Sequence, residues 1–164
     1  MNIAAPVEVE LEDPTVEVGR WHDQNIDVLA APQEHLYDEE KDHFIQRNGV
    51  EFAGTHLLLD LYGASQLDNI EQIEQAMRDI VSACGATLLH IHLHHFSPSG
   101  GVSGVAVLAE SHISVHTWPE RDYAAFDVFM CGDAQPENAV PVLKRAFFPR
   151  RIEVCEELRG RVSK

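Results

Sequence analysis

The sequence predicts an α+β fold, a two-layer α/β sandwich in which two helices cover one face of a mainly antiparallel sheet. Six segments between residues 55 and 157 are typical of strands, because apolar and polar residues largely alternate in them. Two other segments repeat apolar residues at helical spacing, one after the first strand and one before the last. The predicted strands are 55–63, 86–96, 104–110, 112–118, 123–131 and 151–157, and the predicted helices are 67–85 and 136–148.

The first predicted strand shows the alternation most clearly. Leu57, Leu59 and Leu61 share one face of 55–63, and polar residues such as Asp60 lie on the other. We expect the aliphatic faces of the strands to pack against the helices. The mixed faces then lie on the open side of the sheet, where they are candidates for a site or for contact with a second subunit.

The helix at 67–85 carries signals at both of its ends. Asp68 can cap the start, because its carboxylate can accept a hydrogen bond from a free backbone N–H group. Gly85 can end the helix, because glycine readily adopts the left-handed conformation found at helix C-termini. In the second predicted helix, Leu143 and Phe147 share the apolar side.

Residues 1–50 differ in composition from the rest of the chain. They contain twelve acidic and three basic residues, and a polar, turn-rich run occupies 38–50. This composition predicts an acidic extension that is at most partly ordered, followed by the folded domain at 51–164. An additional edge strand is the alternative interpretation of the first fifty residues.

Composition also limits the classes of partner and compartment. A formal net charge of −15 makes nucleic acid and anionic membranes poor partners. Apolar runs such as 105–109 are too short to span a bilayer, and the N-terminus lacks the pattern of a secretory signal. Cys84, Cys131 and Cys155 form no close motif, which argues against a disulfide scaffold and favours a reducing, cytoplasmic location.

The stretch LAESHISVHTWPE, residues 108–120, places reactive side chains among strand residues. Its serine, Ser111, lacks the G-x-S-x-G context of an ordinary serine hydrolase. A serine that follows a strained peptide bond has another use, since its hydroxyl can attack the carbonyl of the preceding residue. The resulting ester can eliminate to a dehydroalanine, and hydrolysis then leaves a pyruvoyl group and ammonia.

Self-cleavage of this kind needs a base, hydrogen-bond donors for the oxyanion and strain in the bond that breaks. His116 can serve as the base or as a donor, although a histidine in a strand is commonly structural. Side chains alternate along a strand, so Ser111 and His116 would face opposite sides of a straight one. Their cooperation therefore predicts a bend at 110–112, where strain would concentrate.

Other side chains have both a functional and an ordinary interpretation. Cys131 can donate a proton or pack in the interior, and Phe96 can stack on a planar ligand or fill space. Glu120 can bind ribose hydroxyls or lie solvated in a loop.

Three histidines of 86–96 share one face, but no clear partner carboxylate or cysteine motif accompanies them, so no metal site is predicted. The histidines are His90, His92 and His94, and the opposite face holds Leu89, Ile91 and Leu93.

Five short motifs, VSGV, ESH, HTWPE, YAA and CG, occur in this order between Phe96 and Gly132. Together they resemble the signature block of the S-adenosylmethionine decarboxylases of bacteria and archaea, the short pyruvoyl-dependent family. The set is far more specific than any one of its members. The resemblance extends from about Gly54 to Arg161, roughly two-thirds of the chain.

The resemblance implies a proenzyme that cuts itself between Glu110 and Ser111. Residues 1–110 would become a β chain, and residues 111–164 would become an α chain. The α chain would begin with a covalent pyruvoyl group made from Ser111, and this group would be the cofactor. Ser103 and His116 match the residues that assist this processing in the family.

The same resemblance implies decarboxylation of S-adenosylmethionine for spermidine synthesis, by a homodimer of processed protomers. The substrate amine would form a Schiff base with the pyruvoyl carbonyl, and the adjacent amide carbonyl would accept the electrons left when CO₂ departs. No metal ion or dissociable cofactor would be needed. Cys131 matches the thiol that protonates the product, Phe96 and His116 match the positions that sandwich the adenine, and Glu120 matches the ribose-binding carboxylate.

Two departures from the family pattern border the predicted substrate pocket. The turn at 98–101 is one residue longer than usual, and Arg121 and Asp122 lie beside Glu120. Two alternatives remain: pyruvoyl chemistry on arginine or ornithine, or an uncleaved homologue that binds a nucleoside, a metal or a partner enzyme. The retained HTWPE motif and Phe96 favour the nucleoside substrate.

Overall fold

The computed structural model describes residues 44–162, in which two α-helices pack on one face of a six-stranded antiparallel sheet. This arrangement confirms the predicted α+β sandwich. Among the described residues, no helix is long and apolar enough to span a membrane. The elements are β1 (Ile45–Arg47), β2 (Val50–Phe52), β3 (Gly54–Tyr62), α1 (Ile70–Cys84), β4 (Leu88–His95), β5 (Val102–Leu108), β6 (Ser111–Trp118), β7 (Tyr123–Met130), α2 (Ala139–Phe147) and β8 (Arg151–Arg159).

The strands of the sheet lie in the order β4-β5-β6-β7-β3-β8, and every neighbouring pair is antiparallel. Strands β4 to β7 follow one another as a meander with short connections. The first long strand, β3, then inserts between β7 and β8. This topology puts β6, which carries Ser111 and His116, in the interior of the sheet.

The core lies between the sheet and the two helices. Leu57, Leu59 and Leu61 of β3 are buried as predicted, and so is Phe147 of α2. The ring of Phe147 lies 5.6 Å from the ring of Phe126 on β7. Burying each such side chain stabilises the fold by about 1.5–3 kcal/mol, which is why both helices remain against this face.

Helix α1 is capped by Asn69 and not by Asp68. The Oδ1 atom of Asn69 accepts a hydrogen bond of 3.1 Å from the backbone N–H of Gln72. Because the helix starts at Ile70, the cap position falls on residue 69, and the predicted cap lies one residue too early. The predicted end is confirmed, since Gly85 adopts a left-handed conformation with φ of 73°.

A β-bulge in β4 makes part of the prediction wrong for the side-chain directions in that strand. The register with β5 shifts between Leu88 and His90, so one extra residue is accommodated there. Leu88, Ile91 and Leu93 consequently pack against the core. Leu89, which was expected to share their face, is 49% exposed.

The face of the sheet opposite the helices, called the open face below, is partly apolar. It is formed by alternate residues of each strand, beginning in β6 with His112, whose neighbour Ile113 points into the core. Four of its larger apolar members remain solvent-exposed by about a third or more: Leu58 37%, Val105 36%, Val107 42% and Trp118 40%. The predicted mixed face is therefore present.

A two-stranded hairpin precedes the main sheet. Strands β1 and β2 are joined by Asn48 and Gly49, both with positive φ, as a tight two-residue hairpin turn requires. Phe52 at its end is fully buried, and Arg47 forms an ion pair with Glu156 of β8. Residues 1–43 lie outside the described part of the chain, so the structure describes only residues 44–50 of the predicted acidic extension.

Replacing Asn69 by alanine should lower the free energy of unfolding by about 1 kcal/mol, because the N–H of Gln72 loses its acceptor. Urea denaturation followed by circular dichroism measures the change. Asp68→Ala is the matched control and should change the free energy of unfolding much less. A larger loss for Asp68→Ala than for Asn69→Ala would contradict this assignment of the cap.

Candidate active site

The connection between β5 and β6 is a two-residue turn that ends at Ser111. Leu108 pairs with Ser111 across the two strands, which leaves Ala109 and Glu110 to reverse the chain. Glu110 has φ of 66°, in the left-handed region that costs a residue with a Cβ atom roughly 1–2 kcal/mol. Backbone strain therefore lies at the residue whose carbonyl forms the Glu110–Ser111 bond.

The start of β6 meets the end of β7 at Ser111 and Cys131. The backbone N–H of Cys131 donates a hydrogen bond of 3.2 Å to Oγ of Ser111. Burial raises the pKa of the Cys131 thiol, and the negative charge of Glu110 raises this pKa further. Both effects keep the thiol protonated at neutral pH, so it can donate a proton beside Ser111. We call Glu110, Ser111 and Cys131 the serine cluster.

Further along the same two strands, Ser103 of β5 lies opposite His116 of β6. A hydrogen bond of 2.8 Å joins the Ser103 hydroxyl to Nδ1 of His116. This bond orients the exposed imidazole, whose ring centre lies 6.2 Å from that of Trp118. Two residues that were predicted to assist processing are therefore in direct contact.

Phe96 and Glu120 lie at the same end of the sheet as Ser103. Phe96 directly follows β4, and its half-exposed ring packs edge-on against His94, with 4.5 Å between ring centres. Its N–H donates to the carbonyl of Gly101, and this closes the turn that is one residue longer than the family pattern. Glu120 is exposed in a single 3₁₀ turn, residues 119–121, which directly follows β6. We call Phe96, Ser103, His116 and Glu120 the histidine cluster.

The bend predicted at 110–112 lies at Glu110, before the strand begins, and it does not bring Ser111 and His116 together. Strand β6 runs without interruption from Ser111 to Trp118, and the sharp reversal precedes it, at Glu110. Five residue steps of extended strand separate Ser111 from His116, a distance of about 16 Å. The predicted residues thus lie at two ends of the sheet within one protomer, the serine cluster at one end and the histidine cluster at the other.

A row of polar and aromatic contacts on the open face was not predicted. The hydroxyl of Tyr123 donates to Asp60, and burial together with this carboxylate raises the pKa of Tyr123 to about 12. The ring of Tyr123 lies 5.3 Å from that of Tyr62 and 5.3 Å from that of Trp118. The alternation of the strands marked these side chains as one face, but their contacts depend on the register between strands.

The histidines of β4 lie on exposed positions. Among residues 44–162, no three His, Cys, Asp or Glu side chains converge in a way that could hold a metal ion.

Residues 55–160 match the family model described as S-adenosylmethionine decarboxylase. The chain belongs to the S-adenosylmethionine decarboxylase family. This confirms the resemblance seen in the motifs between residues 96 and 132. Residues 1–54 precede the part of the chain that the family model matches.

Individual relatives support the assignment to the S-adenosylmethionine decarboxylase family. A protein of Thermomicrobium roseum, named S-adenosylmethionine decarboxylase proenzyme, is 46% identical over 110 residues, covering 66% of this chain and 95% of that one. A proenzyme of the same name from Methanococcus vannielii is 48% identical over 113 residues, covering 67% of this chain and 92% of that one. The crystal structure of the adenosylmethionine decarboxylase of Aquifex aeolicus VF5 superposes with a TM-score of 0.61 and 35% identity, over 69% of this chain and 95% of that one.

The raised pKa of Cys131 predicts how its alkylation depends on pH. In a Ser111→Ala chain, alkylation of Cys131 should need a higher pH than alkylation of a simple thiol, because the thiolate is the reactive form. Adding Glu110→Gln should move the midpoint to lower pH, because one negative charge near the thiolate is removed. Peptide mass spectrometry measures modification of each cysteine, with Cys155 as the internal control for the reagent. A midpoint that does not move would contradict the contribution of Glu110.

Proposed function

We propose that the chain is a self-processing, pyruvoyl-dependent decarboxylase that converts S-adenosylmethionine to decarboxylated S-adenosylmethionine and CO₂. The observation that carries the proposal is the left-handed Glu110 directly before Ser111, with a backbone N–H donor at the serine hydroxyl. Residues 51–164 would form the decarboxylase domain, and residues 1–50 an acidic extension. The chain would be cut into a β chain, 1–110, and an α chain, 111–164.

The proposed cut begins with attack of the Ser111 hydroxyl on the carbonyl carbon of Glu110. The C–N bond breaks, and the serine then carries the glutamyl group as an ester and a free amine. Removal of the Ser111 α-proton expels the Glu110 carboxylate and leaves a dehydroalanine, and water then releases ammonia to give the pyruvoyl group. Relief of the left-handed conformation at Glu110 favours the first step.

The residues at this position fit a pyruvoyl group. When formed, the group supplies an electrophilic carbonyl for the substrate amine and a neighbouring carbonyl that accepts the electrons released with CO₂. The Cys131 N–H, which contacts Oγ of Ser111, can orient a carbonyl oxygen at residue 111. The protonated thiol of Cys131 can deliver a proton to the carbon that loses CO₂, as expected from its raised pKa.

The histidine cluster is suited to hold the nucleoside of the substrate. The exposed ring of Phe96 and the imidazole of His116 offer faces for a planar base. The Glu120 carboxylate at the end of β6 can accept hydrogen bonds from ribose hydroxyls. Hydrogen bonding to Ser103 restrains the imidazole of His116 in this role.

A homodimer would unite the two clusters. Because about 16 Å of straight strand separates Ser111 from His116 within one protomer, the imidazole of His116 does not reach the Glu110–Ser111 bond of its own protomer. Two protomers whose open faces pack against each other about a two-fold axis would bring the end of the sheet that carries Ser111 in one protomer near the histidine cluster of the other. The exposed Val105, Val107 and Trp118 on this face support such packing.

An intact-mass spectrum tests the proposed cut. Wild-type protein should give two chains, 1–110 and 111–164, and the second should be lighter by one ammonia than a chain that begins with serine. Ser111→Ala should give one uncut chain, because the nucleophile is absent. Ser114→Ala is the matched control on the same strand, where the serine donates to Asp127, and it should still be cut. A Ser111→Ala chain that splits at the same bond would refute the mechanism.

Release of labelled CO₂ separates the substrate alternatives. Processed wild-type protein should release it from carboxyl-labelled S-adenosylmethionine and not from arginine or ornithine. The reverse result would assign the same chemistry to a basic amino acid. An intact chain without any decarboxylation would indicate a non-enzymatic homologue.

Mixing two inactive variants tests whether the clusters come from different protomers. His116→Ala and Cys131→Ala should each abolish turnover alone. When the two are co-expressed with different tags, random pairing should restore about a quarter of the wild-type activity, because half of the dimers carry one intact site of two. Co-purified mixed dimers without activity would show that both clusters serve the same protomer.

A further inference from the structure

A cavity on the open face lies near the ends of β6 and β7 at which the serine cluster is located. It has a volume of about 290 Å³ and is lined by His56, His112, Phe129 and Arg159, which come from β3, β6, β7 and β8. His112 directly follows Ser111 in sequence. Phe129 lies two residues before Cys131, about 7 Å along the chain. The cavity therefore lies beside the strand ends that carry Ser111 and Cys131.

The aromatic wall of the cavity is closely packed. In the sheet, Phe129 lies opposite both His56 and His112. Its ring is stacked on that of His112, with 5.5 Å between centres, and stands edge-on to that of His56 at 5.8 Å. Gly54 makes room for it, since a Cβ atom there would lie 2.8 Å from the Phe129 ring and 2.8 Å from the carbonyl of Met130.

His56 presents a hydrogen-bond donor without an acceptor. Its Nδ1 atom lies 3.4 Å from Nη1 of Arg159, and a guanidinium group only donates. Nδ1 must therefore accept, so the neutral ring carries its proton on Nε2. That Nε2 atom is buried and has no hydrogen-bond partner. Burial lowers the pKa of His56, which also favours the neutral ring.

Arg159 is the member of the lining that carries a formal charge at neutral pH. Two acidic groups lie near His56, but neither satisfies its Nε2 atom. Asp127 places a carboxylate oxygen 3.8 Å from Nε2, beyond hydrogen-bond distance, and its other oxygen accepts from Ser114. Glu157 acts on His56 through its charge alone. The cavity thus combines a cationic rim with a buried donor that lacks an acceptor.

We propose that this cavity receives the α-carboxylate of the substrate and fixes the bond to be broken. The inference rests on the proposed function, because the α-carbon must then lie between residue 111 and Cys131. A carboxylate on that carbon extends toward His112 and Phe129, where Arg159 and Nε2 of His56 provide donors. The Phe129 wall limits access of water to the same group, which favours departure of uncharged CO₂.

Two ligands that differ in the carboxylate alone provide the test. Processed Arg159→Gln enzyme should show a KM for S-adenosylmethionine raised about tenfold or more, because a charge-assisted contact is lost. The inhibition constant of decarboxylated S-adenosylmethionine should change less than about twofold, because this ligand does not reach Arg159. Arg159→Lys should give an intermediate KM. His56→Gln should raise the KM for S-adenosylmethionine without changing the inhibition constant of decarboxylated S-adenosylmethionine.

Arg151→Gln is the matched control on the same strand and face. Arg151 stacks on Tyr62 and pairs with Glu153, outside the cavity, so both constants should stay at wild-type values. Self-cleavage, read by intact mass, reports whether each variant folds. If an Arg159 variant is not cut, His56→Gln carries the comparison.

Three results would overturn the inference. They are an equal loss of affinity for both ligands, no change for either ligand, and a loss in Arg151→Gln as large as that in Arg159→Gln. Failure of the proposed function looks different, because cut wild-type protein would then release no CO₂ from S-adenosylmethionine. In that case the carboxylate assignment fails together with the function.

Discussion

The proposed chemistry of this chain depends on the two-residue connection between β5 and β6. Because Leu108 pairs with Ser111, Ala109 and Glu110 alone reverse the chain, and Glu110 is held at a positive φ. Such turns suit glycine, asparagine or aspartate, so a glutamate stores strain there. The strain does not relax by slippage of the strands, because their register is set by buried side chains such as Ile113.

The segregation of the helices to one face of the sheet governs where the polar side chains lie. The aliphatic face is covered by α1 and α2, so the residues at alternate strand positions share the open face. The strand register then decides which of them meet: Tyr123 donates to Asp60, and Ser114 donates to Asp127. These bonds tie neighbouring strands together and restrain a surface that also exposes apolar groups, which is the character expected of a face that meets another protomer.

The straightness of β6 links the proposed site to assembly. An extended strand is a rigid spacer, so Ser111 and His116 remain apart while each is well held by a neighbouring strand. The cavity formed by His56, His112, Phe129 and Arg159 lies at the serine end. In the proposed enzyme, one protomer would offer a place for the reacting group at one end of the sheet and a place for a nucleoside at the other. Dimerisation about a two-fold axis would complete two equivalent sites.

The sequence by itself determined the fold class, the facing of most strands and the family. Alternation and helical spacing follow from backbone periodicity, which each segment carries locally, and the ordered motifs between Phe96 and Gly132 needed no coordinates. It did not determine the cap at Asn69 or the bulge that exposes Leu89, because each depends on a shift of one residue. Only the tertiary structure decided that the Cys131 N–H meets Ser111 and that His56 meets Arg159. Those contacts join residues 20 and 103 positions apart, and strand register, which no local pattern records, brings them together.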